Sequence, residues 1–273
     1  MSSLVSPGFS AAADKPVPIG VQLYSYRGQF LKNVPETIEM VAKSGVEEVE
    51  LAGTYGIEPA KFRSMLEKAG LRAVSGHFPF ERYDKDLPKV IEEIKALGLA
   101  YAGCAWIPHE GVFKEADARR AIEVFSRAGA ELDKAGVQFF YHCHGYEFQP
   151  LGDGTYMDLI IRETKPEHVA FEMDTLWVWL PGEDPAAWLR KYPDRWQLLH
   201  LKDFKKGLAQ ALDDAGKDKE NNVVLGTGQL DWPGILKAAR EIGVRHYFIE
   251  DESARAPAQI PDSVAYLKKA TRS

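Results

Sequence analysis

Short apolar runs alternate along this chain with longer stretches whose apolar residues recur three and four positions apart. The longer pattern is typical of amphipathic helices, as in Ile38, Val41 and Ala42. The short runs are typical of strands in a parallel sheet that is covered on both faces. They predict eight strands, at residues 19–24, 46–51, 71–76, 99–104, 137–142, 168–173, 196–201 and 246–250.

Five predicted helices end at a glycine that is followed at once by an apolar strand. Glycine can close a helix in the left-handed conformation at little steric cost. Recurrence of this join, with one helix and one strand between copies, indicates repeated strand–helix units. Eight units without a break in composition predict a single (β/α)8 barrel over residues 19–273, with an open doubly wound sheet as the competing fold. The five glycines are Gly45, Gly70, Gly98, Gly136 and Gly243.

Local signals predict where several helices begin. Asn33, Asp184 and Asp231 are candidate N-caps, and Pro185 suits a first helical position. A short last helix is predicted at about 261–270. After Asp203 a polar stretch of roughly 25 residues precedes the next motif, and long loops of this kind lie over the active face of a barrel.

Residues 1–18 lack periodicity and are predicted to be a disordered or processed tail. Ser10–Asp14 resembles the end of a secretory signal, but no basic or apolar segment precedes it. We therefore expect a cytoplasmic protein, or a periplasmic one if the tail is the remnant of an export signal.

The composition limits the classes of partner. The chain has 273 residues, of which 45% are hydrophobic and 27% are charged, which is typical of a soluble globular protein. A net charge of -6 argues against nucleic acid as a partner. No apolar stretch approaches the roughly 18 residues of a membrane span. We expect a small-molecule substrate, and a homo-oligomer is left open.

Ionisable side chains follow four successive predicted strands. Glu147, Asp174, His200 and Glu250 come at or after the ends of strands five to eight. The carboxyl ends of barrel strands meet at one mouth, so these side chains are expected to converge. Three carboxylates and an imidazole suit a divalent cation, with Mn²⁺ first and Mg²⁺, Co²⁺ or Zn²⁺ as alternatives.

The ordered motifs resemble the xylose isomerase-like barrel superfamily, and within it the sugar phosphate isomerase/epimerase group with its ketose 3-epimerases and inosose dehydratases. The resemblance implies that Glu147, Asp174, His200 and Glu250 bind one divalent metal. It also implies that the two glutamates transfer protons. Trp177 stands where ketose 3-epimerases often have a histidine. The motifs are His142-x-His144-x-x-Glu147, Met173-Asp174-Thr175, His200-Leu201-Lys202-Asp203, Gly226-x-Gly228-x-x-Asp231-Trp232 and Ile249-Glu250.

The leading hypothesis is a metal-dependent sugar isomerase or epimerase. It would remove a proton beside a metal-polarised carbonyl and pass through an enediolate. The first alternative is a dehydratase or lyase acting on a keto-sugar, keto-glycoside or inosose. An apurinic-site endonuclease and a non-catalytic sugar-binding barrel are further alternatives, although the endonuclease would need a basic surface and more metal ligands.

Other side chains at the predicted mouth are candidates for binding substrate. Lys202 lies two residues after His200 and is expected to share its pocket. Aromatic rings suit the apolar faces of sugars. The candidate substrate-binding residues are His77, Trp106, His144, Trp177 and Lys202. Asp203 is expected to support Lys202 or the loop backbone.

Overall fold

A closed barrel of parallel strands is the framework of this protein. A computed structural model describes residues 17–211 and 218–271. In it eight strands hydrogen-bond in the spatial order 3-2-1-8-7-6-5-4. Strands three and four meet at the remaining seam, where Phe78 N–H donates to Gly103 C=O at 2.8 Å. The predicted single (β/α)8 barrel is confirmed. Its strands are Ile19–Gln22, Glu48–Leu51, Arg72–Gly76, Tyr101–Cys104, Gln138–His142, Val169–Asp174, Trp196–Leu201 and His246–Ile249.

Helices connect successive strands around the barrel. The last of them begins at Ala256 and contains Pro261, so the predicted start at about 261 was wrong. Proline is common in a first helical turn, and Pro257 rather than Pro261 lies there. The α-helices are Arg27–Phe30, Val34–Lys43, Pro59–Lys68, Phe80–Lys85, Leu87–Leu97, Glu115–Lys134, Tyr156–Glu163, Thr175–Trp179, Pro185–Lys191, Trp232–Ile242 and Ala256–Ala270.

The helix ends follow the local signals in the sequence. All five glycines at the helix-to-strand joins have a positive φ, between 70° and 87°. Asn33 Oδ1 accepts the Glu36 N–H at 3.1 Å, and Asp184 and Asp231 cap their helices in the same way. None of the described helices is long and apolar enough to cross a membrane. The predicted tail lies almost wholly outside the described residues.

The barrel interior has an apolar layer beneath a polar one. Phe140, Ala170, Leu198 and Phe248 belong to one buried cluster. Gly103 leaves space for the Phe140 ring, which a Cβ there would meet at 2.4 Å. Alternate residues of a strand point to the same side. The residues two positions further along these four strands therefore stand above the apolar layer, toward the mouth, and they are His142, Glu172, His200 and Glu250.

Candidate active site

Three carboxylates surround the Lys202 ammonium group at the barrel mouth. Its Nζ lies 2.6 Å from Glu250 Oε2, 2.9 Å from Glu252 Oε1 and 3.1 Å from Asp174 Oδ2. Lys202 is only 2% exposed. We call Asp174, Lys202, Glu250 and Glu252 the acid–lysine cluster. Strand six ends at Asp174, and the other members follow the ends of strands seven and eight, as the barrel geometry predicts.

The charges of this cluster stabilise one another. Burial lowers the pKa of Lys202, but the neighbouring carboxylates outweigh burial and hold it well above its usual value. Burial likewise raises the pKa of Glu250, but Lys202 and His200 outweigh it and keep that pKa well below its usual value. Near neutral pH the cluster therefore contains an ammonium group and an ionised Glu250.

A second polar group lies deeper in the barrel. We call Gln22, Glu50, His77, His142, Glu172 and His200 the inner polar cluster. Glu50 accepts hydrogen bonds from Gln22 Nε2 at 2.7 Å and Ser75 Oγ at 2.6 Å. Glu172 Oε2 lies 2.9 Å from His142 Nδ1 and 3.1 Å from His77 Nε2. The two buried carboxylates are thus satisfied by an amide, a hydroxyl and imidazole groups.

His200 joins the two clusters. Its Nε2 lies 2.6 Å from Glu50 Oε1, and its Nδ1 lies 3.2 Å from Glu250 Oε2. Burial lowers the pKa of His200, but Glu172, Glu250 and Glu50 outweigh it and raise the pKa well above its usual value. The same balance raises the pKa of His77 to about 9. In this arrangement both imidazoles carry a proton on each nitrogen.

The two other histidines of the mouth stay neutral. Burial is the largest cause that holds the pKa of His142 well below its usual value. Burial and the charge of Lys202 lower the pKa of His144 to about 3. The buried Nδ1 of His144 has no hydrogen-bond partner among the described residues. A buried polar atom without a partner is unusual, which makes His144 a residue of interest in the site.

Glu147 makes contacts of a different kind from the other predicted ligands. Both of its carboxylate oxygens accept the His144 N–H, at 3.0 and 3.1 Å, and the Tyr141 hydroxyl donates to Oε1. The side chain is fully buried, and burial raises its pKa to about 8. The structure therefore does not bring Glu147 into the group that Asp174, His200 and Glu250 form, and its role as a ligand stays a prediction.

Aromatic rings form part of the wall around the mouth. Trp106 is 50% exposed, and its ring stacks on His109 with centroids 5.0 Å apart. Trp106 and Trp177 also lie within 5.5 Å and 5.3 Å of the His144 ring. The structure thus places Trp106 and Trp177 beside His144, and Lys202 Nζ lies 5.9 Å from the centroid of the Trp177 ring. The fifth predicted side chain, His77, lies 5.3 Å from the ring of His142.

Asp203 supports the loop after strand seven, as predicted. Its carboxylate accepts the backbone N–H groups of Gly226 and Gly228 at 3.1 and 3.0 Å and the Trp232 indole N–H at 2.8 Å. A Cβ on Gly228 would lie 2.1 Å from Asp203 Oδ1, so only glycine allows this approach. The Gly226-x-Gly228-x-x-Asp231-Trp232 motif therefore closes the loop beside the acid–lysine cluster.

The described residues fit a divalent cation. Asp174, His200 and Glu250 offer donor atoms that all lie within 4.8 Å of one another. Two carboxylates and an imidazole are ligands that Mn²⁺ and similar ions prefer. Asp174 Oδ2 is buried without a hydrogen bond, because its 3.1 Å contact with Lys202 lacks hydrogen-bonding geometry. A second group with ligand-like spacing lies in the inner polar cluster and shares His200 with the first.

Sequence reasoning missed Glu50, Glu172 and Glu252. Glu50 and Glu172 lie inside strands that were counted as core, and both are fully buried. A glutamate at an inward position of an apolar strand was the available signal, since such a group is costly to bury unless it is paired. Glu252 lies two residues beyond the predicted ligand Glu250, outside any strand.

Comparison with known proteins identifies the family. A family model described as xylose isomerase-like TIM barrel matches residues 37–270. Inosose dehydratase from Lacticaseibacillus casei is 24% identical over 254 residues, with 82% of this chain and 83% of the relative covered. A sugar phosphate isomerase/epimerase structure from Parabacteroides distasonis ATCC 8503 is 27% identical, with a TM-score of 0.77 and coverage of 94% and 95%.

A further solved structure shares the fold and contains a metal. It is the IOLI protein with a bound zinc atom, which is 13% identical with a TM-score of 0.72 and covers 93% of this chain and 96% of its own. At that identity the likeness concerns the fold alone. The family match covers most of the chain and agrees with the closed barrel. This chain belongs to the xylose isomerase-like TIM barrel family.

Proposed function

We propose that this protein is a metal-dependent enzyme that removes a proton from the carbon beside the carbonyl group of a sugar or cyclitol. The observation that carries the proposal is the convergence of Asp174, His200 and Glu250, with Lys202 in direct contact with both carboxylates. The names of the relatives, which are isomerases, epimerases and dehydratases, support the same chemistry. Isomerisation or epimerisation is the first candidate reaction.

Asp174, His200 and Glu250 would hold the cation, and Glu147 was predicted as the fourth ligand. When bound, the cation would polarise the substrate carbonyl and acidify the adjacent C–H. The donor set favours Mn²⁺, with Mg²⁺, Co²⁺ and Zn²⁺ as alternatives, and the zinc in the IOLI protein keeps Zn²⁺ among them.

Glu250 would act as the base. Its Oε2 lies within 3.2 Å of both His200 Nδ1 and Lys202 Nζ, which keep the carboxylate in the unprotonated form that a base needs. Lys202 Nζ would donate to the substrate oxygen that gains negative charge as the proton leaves. His144 stays neutral and its ring lies beside Trp106 and Trp177, so it would line the substrate pocket as predicted from the motif.

The test is hydrogen exchange in heavy water. The protein is stripped with a chelator, reloaded with Mn²⁺ and incubated with keto-sugars and inososes in D₂O. With the loaded wild type, the proton NMR signal of the hydrogen on the carbon beside the carbonyl should disappear as deuterium replaces that hydrogen. The Glu250→Gln variant should bind Mn²⁺ more weakly and lose exchange. Absence of exchange with every keto-compound, in protein shown to contain metal, would refute the proposal.

Elimination of water is the second candidate reaction. Epimerisation by two bases needs a second group on the opposite face of the substrate, and Glu147 was predicted for that role. The Glu147 carboxylate already accepts hydrogen bonds from the Tyr141 hydroxyl and the His144 N–H, so a reaction with Glu250 as its one base is kept as the second candidate. Elimination would give an unsaturated product with ultraviolet absorption, whereas epimerisation would not.

A further inference from the structure

A hollow lies beside strands two, three and four, away from the strands that carry the acid–lysine cluster. Its volume is about 490 Å³, and its lining combines residues at the ends of these three strands with residues of the helices Phe80–Lys85 and Leu87–Leu97. The lining includes Thr54, His77 and Trp106. The proposed chemistry uses the ends of strands five to eight, so it leaves this hollow unassigned.

His77 connects the hollow to the reacting site. Its side chain lines the hollow, and its Nε2 lies 3.1 Å from both Glu50 Oε1 and Glu172 Oε2 of the inner polar cluster. Its ring centroid lies 5.7 Å from that of His200. The hollow therefore adjoins the inner polar cluster at His77, and His200 links that cluster to the acid–lysine cluster.

The charges in the lining cancel. Arg82 Nη1 lies 2.6 Å from Glu93 Oε2, and the Arg82 guanidinium group also lies over the Phe78 ring, 5.9 Å from its centroid. Arg82 and Glu93 are thus paired with each other, and the protonated His77 of the lining is paired with two carboxylates of the inner polar cluster. None of the lining charges is left to attract a phosphate or carboxylate group. The chemistry of this lining suits an uncharged ligand.

Trp106 supplies a rigid aromatic platform at the edge of the hollow. Half of this side chain is exposed, although large aromatic residues are usually buried. Stacking on His109 and an edge contact with Tyr146, at centroid distances of 5.0 and 4.9 Å, fix the ring. The Tyr146 hydroxyl also accepts the N–H of the neighbouring Ile107 at 3.0 Å. A preorganised, exposed indole ring suits the apolar face of a sugar ring.

We propose that the hollow binds a second, uncharged pyranose ring, joined through a glycosidic oxygen to the ring that reacts at the acid–lysine cluster. This inference rests on the proposed function and extends it, because it makes the substrate a keto-glycoside rather than a free keto-sugar. The aromatic platform would contact the apolar face of the ring. The Thr54 hydroxyl and the backbone of the lining loops supply polar groups for its hydroxyls.

Binding without turnover is the first test. Calorimetry on Mn²⁺-loaded protein would compare α- and β-linked glucose disaccharides with the methyl glucosides. At least one disaccharide should bind the wild type tenfold or more tightly than either methyl glucoside. Trp106→Ala should abolish the difference, Trp106→Phe should keep most of it, and Val112→Ala, at an exposed position outside the hollow, should leave it unchanged. Equal binding of one and two rings, or equal weakening of both by Trp106→Ala, would overturn the second-ring site.

Turnover separates this inference from the proposed function. Keto-derivatives of the preferred disaccharide and of its monosaccharide would be compared by deuterium exchange. The two-ring compound should have a KM at least tenfold lower, and Trp106→Ala should raise that KM without changing kcat. Exchange of both with the same KM would overturn the second-ring site and leave the proposed function standing. A preference confined to aryl glycosides would overturn the assignment of the second ring as a sugar.

Discussion

Removal of the Lys202 charge should destabilise the metal-free protein strongly. Lys202→Met keeps the length of the side chain but leaves Asp174, Glu250 and Glu252 without the ammonium group that lies 2.6–3.1 Å from their oxygens. Loss of one partner of a buried ion pair costs about 3–5 kcal/mol. At roughly 2 °C per kcal/mol for a chain of this size, the Tm should fall by about 6–10 °C.

A divalent cation should reverse much of this loss. The variant presents the same carboxylates to the metal without the competing charge of Lys202, so it should bind Mn²⁺ more tightly than the wild type does. A ligand at 100 times its Kd stabilises the folded state by about 2.7 kcal/mol. The Tm gained on adding Mn²⁺ should therefore be larger in Lys202→Met than in the wild type.

The assay is thermal and urea denaturation of chelator-treated and Mn²⁺-loaded proteins. Lys219→Met is the matched control, because Lys219 also pairs with Glu252 but its side chain is 41% exposed. An exposed pair contributes at most about 1 kcal/mol, so the control should change little. A loss below about 1 kcal/mol in metal-free Lys202→Met, or an equal gain from Mn²⁺ in both proteins, would refute the electrostatic reasoning.

Three further changes test other parts of the site. Asp174→Asn should lower the bound Mn²⁺ measured by elemental analysis at least tenfold, because it removes a carboxylate from the ligand group; unchanged metal content would remove Asp174 from that group. Burial raises the pKa of Glu147 from 4.5 to about 8, so between these pH values the folded protein keeps a proton that the unfolded chain releases. The free energy of unfolding of the wild type should therefore fall as the pH rises from about 4.5 to about 8. The side chain of Glu147→Gln does not titrate. The free energy of unfolding of this variant, measured by urea denaturation, should therefore rise relative to that of the wild type by roughly 2–4 kcal/mol between these pH values. The same pH dependence in both proteins would show that Glu147 is ionised throughout. Asp203→Ala should cost about 2–4 kcal/mol in urea denaturation, because it leaves the buried N–H groups of the loop unpaired, and a cost near zero would contradict its role as a loop support.

The sequence was sufficient to predict the barrel and much of its mouth. Glycine ends a helix for a local steric reason, so the five joins could be recognised without tertiary information, and their left-handed φ values follow. Asp174 and His200 could be placed because they lie within their strands, where alternation fixes the direction of a side chain. Lys202 lies two residues after His200, so the same alternation directs its side chain toward the same pocket.

The direction of Glu147 could not be predicted in this way. It lies five residues beyond the end of strand five, in a 3₁₀ turn at Tyr146–Phe148, where alternation no longer applies. The turn directs its carboxylate to the Tyr141 hydroxyl and the His144 N–H. The motif therefore predicts a role for Glu147 from its place along the chain, but the contacts of its side chain depend on the turn.

The buried carboxylates of the site outnumber its permanent cations. Glu50, Glu172, Asp174, Glu250 and Glu252 supply carboxylates to the two clusters, whereas Lys202 is the one permanently charged cation among the members of those clusters in the described part of the chain. Protonation of His77 and His200 offsets part of the excess, which is why their pKa values rise despite burial. A divalent ion at Asp174, His200 and Glu250 would supply positive charge at the place where the proposed reaction also needs it, and His200 would release one proton to become a ligand. Folding and catalysis would then depend on the same cation, so metal loading should change the stability of the wild type and its exchange activity over the same range of metal concentration.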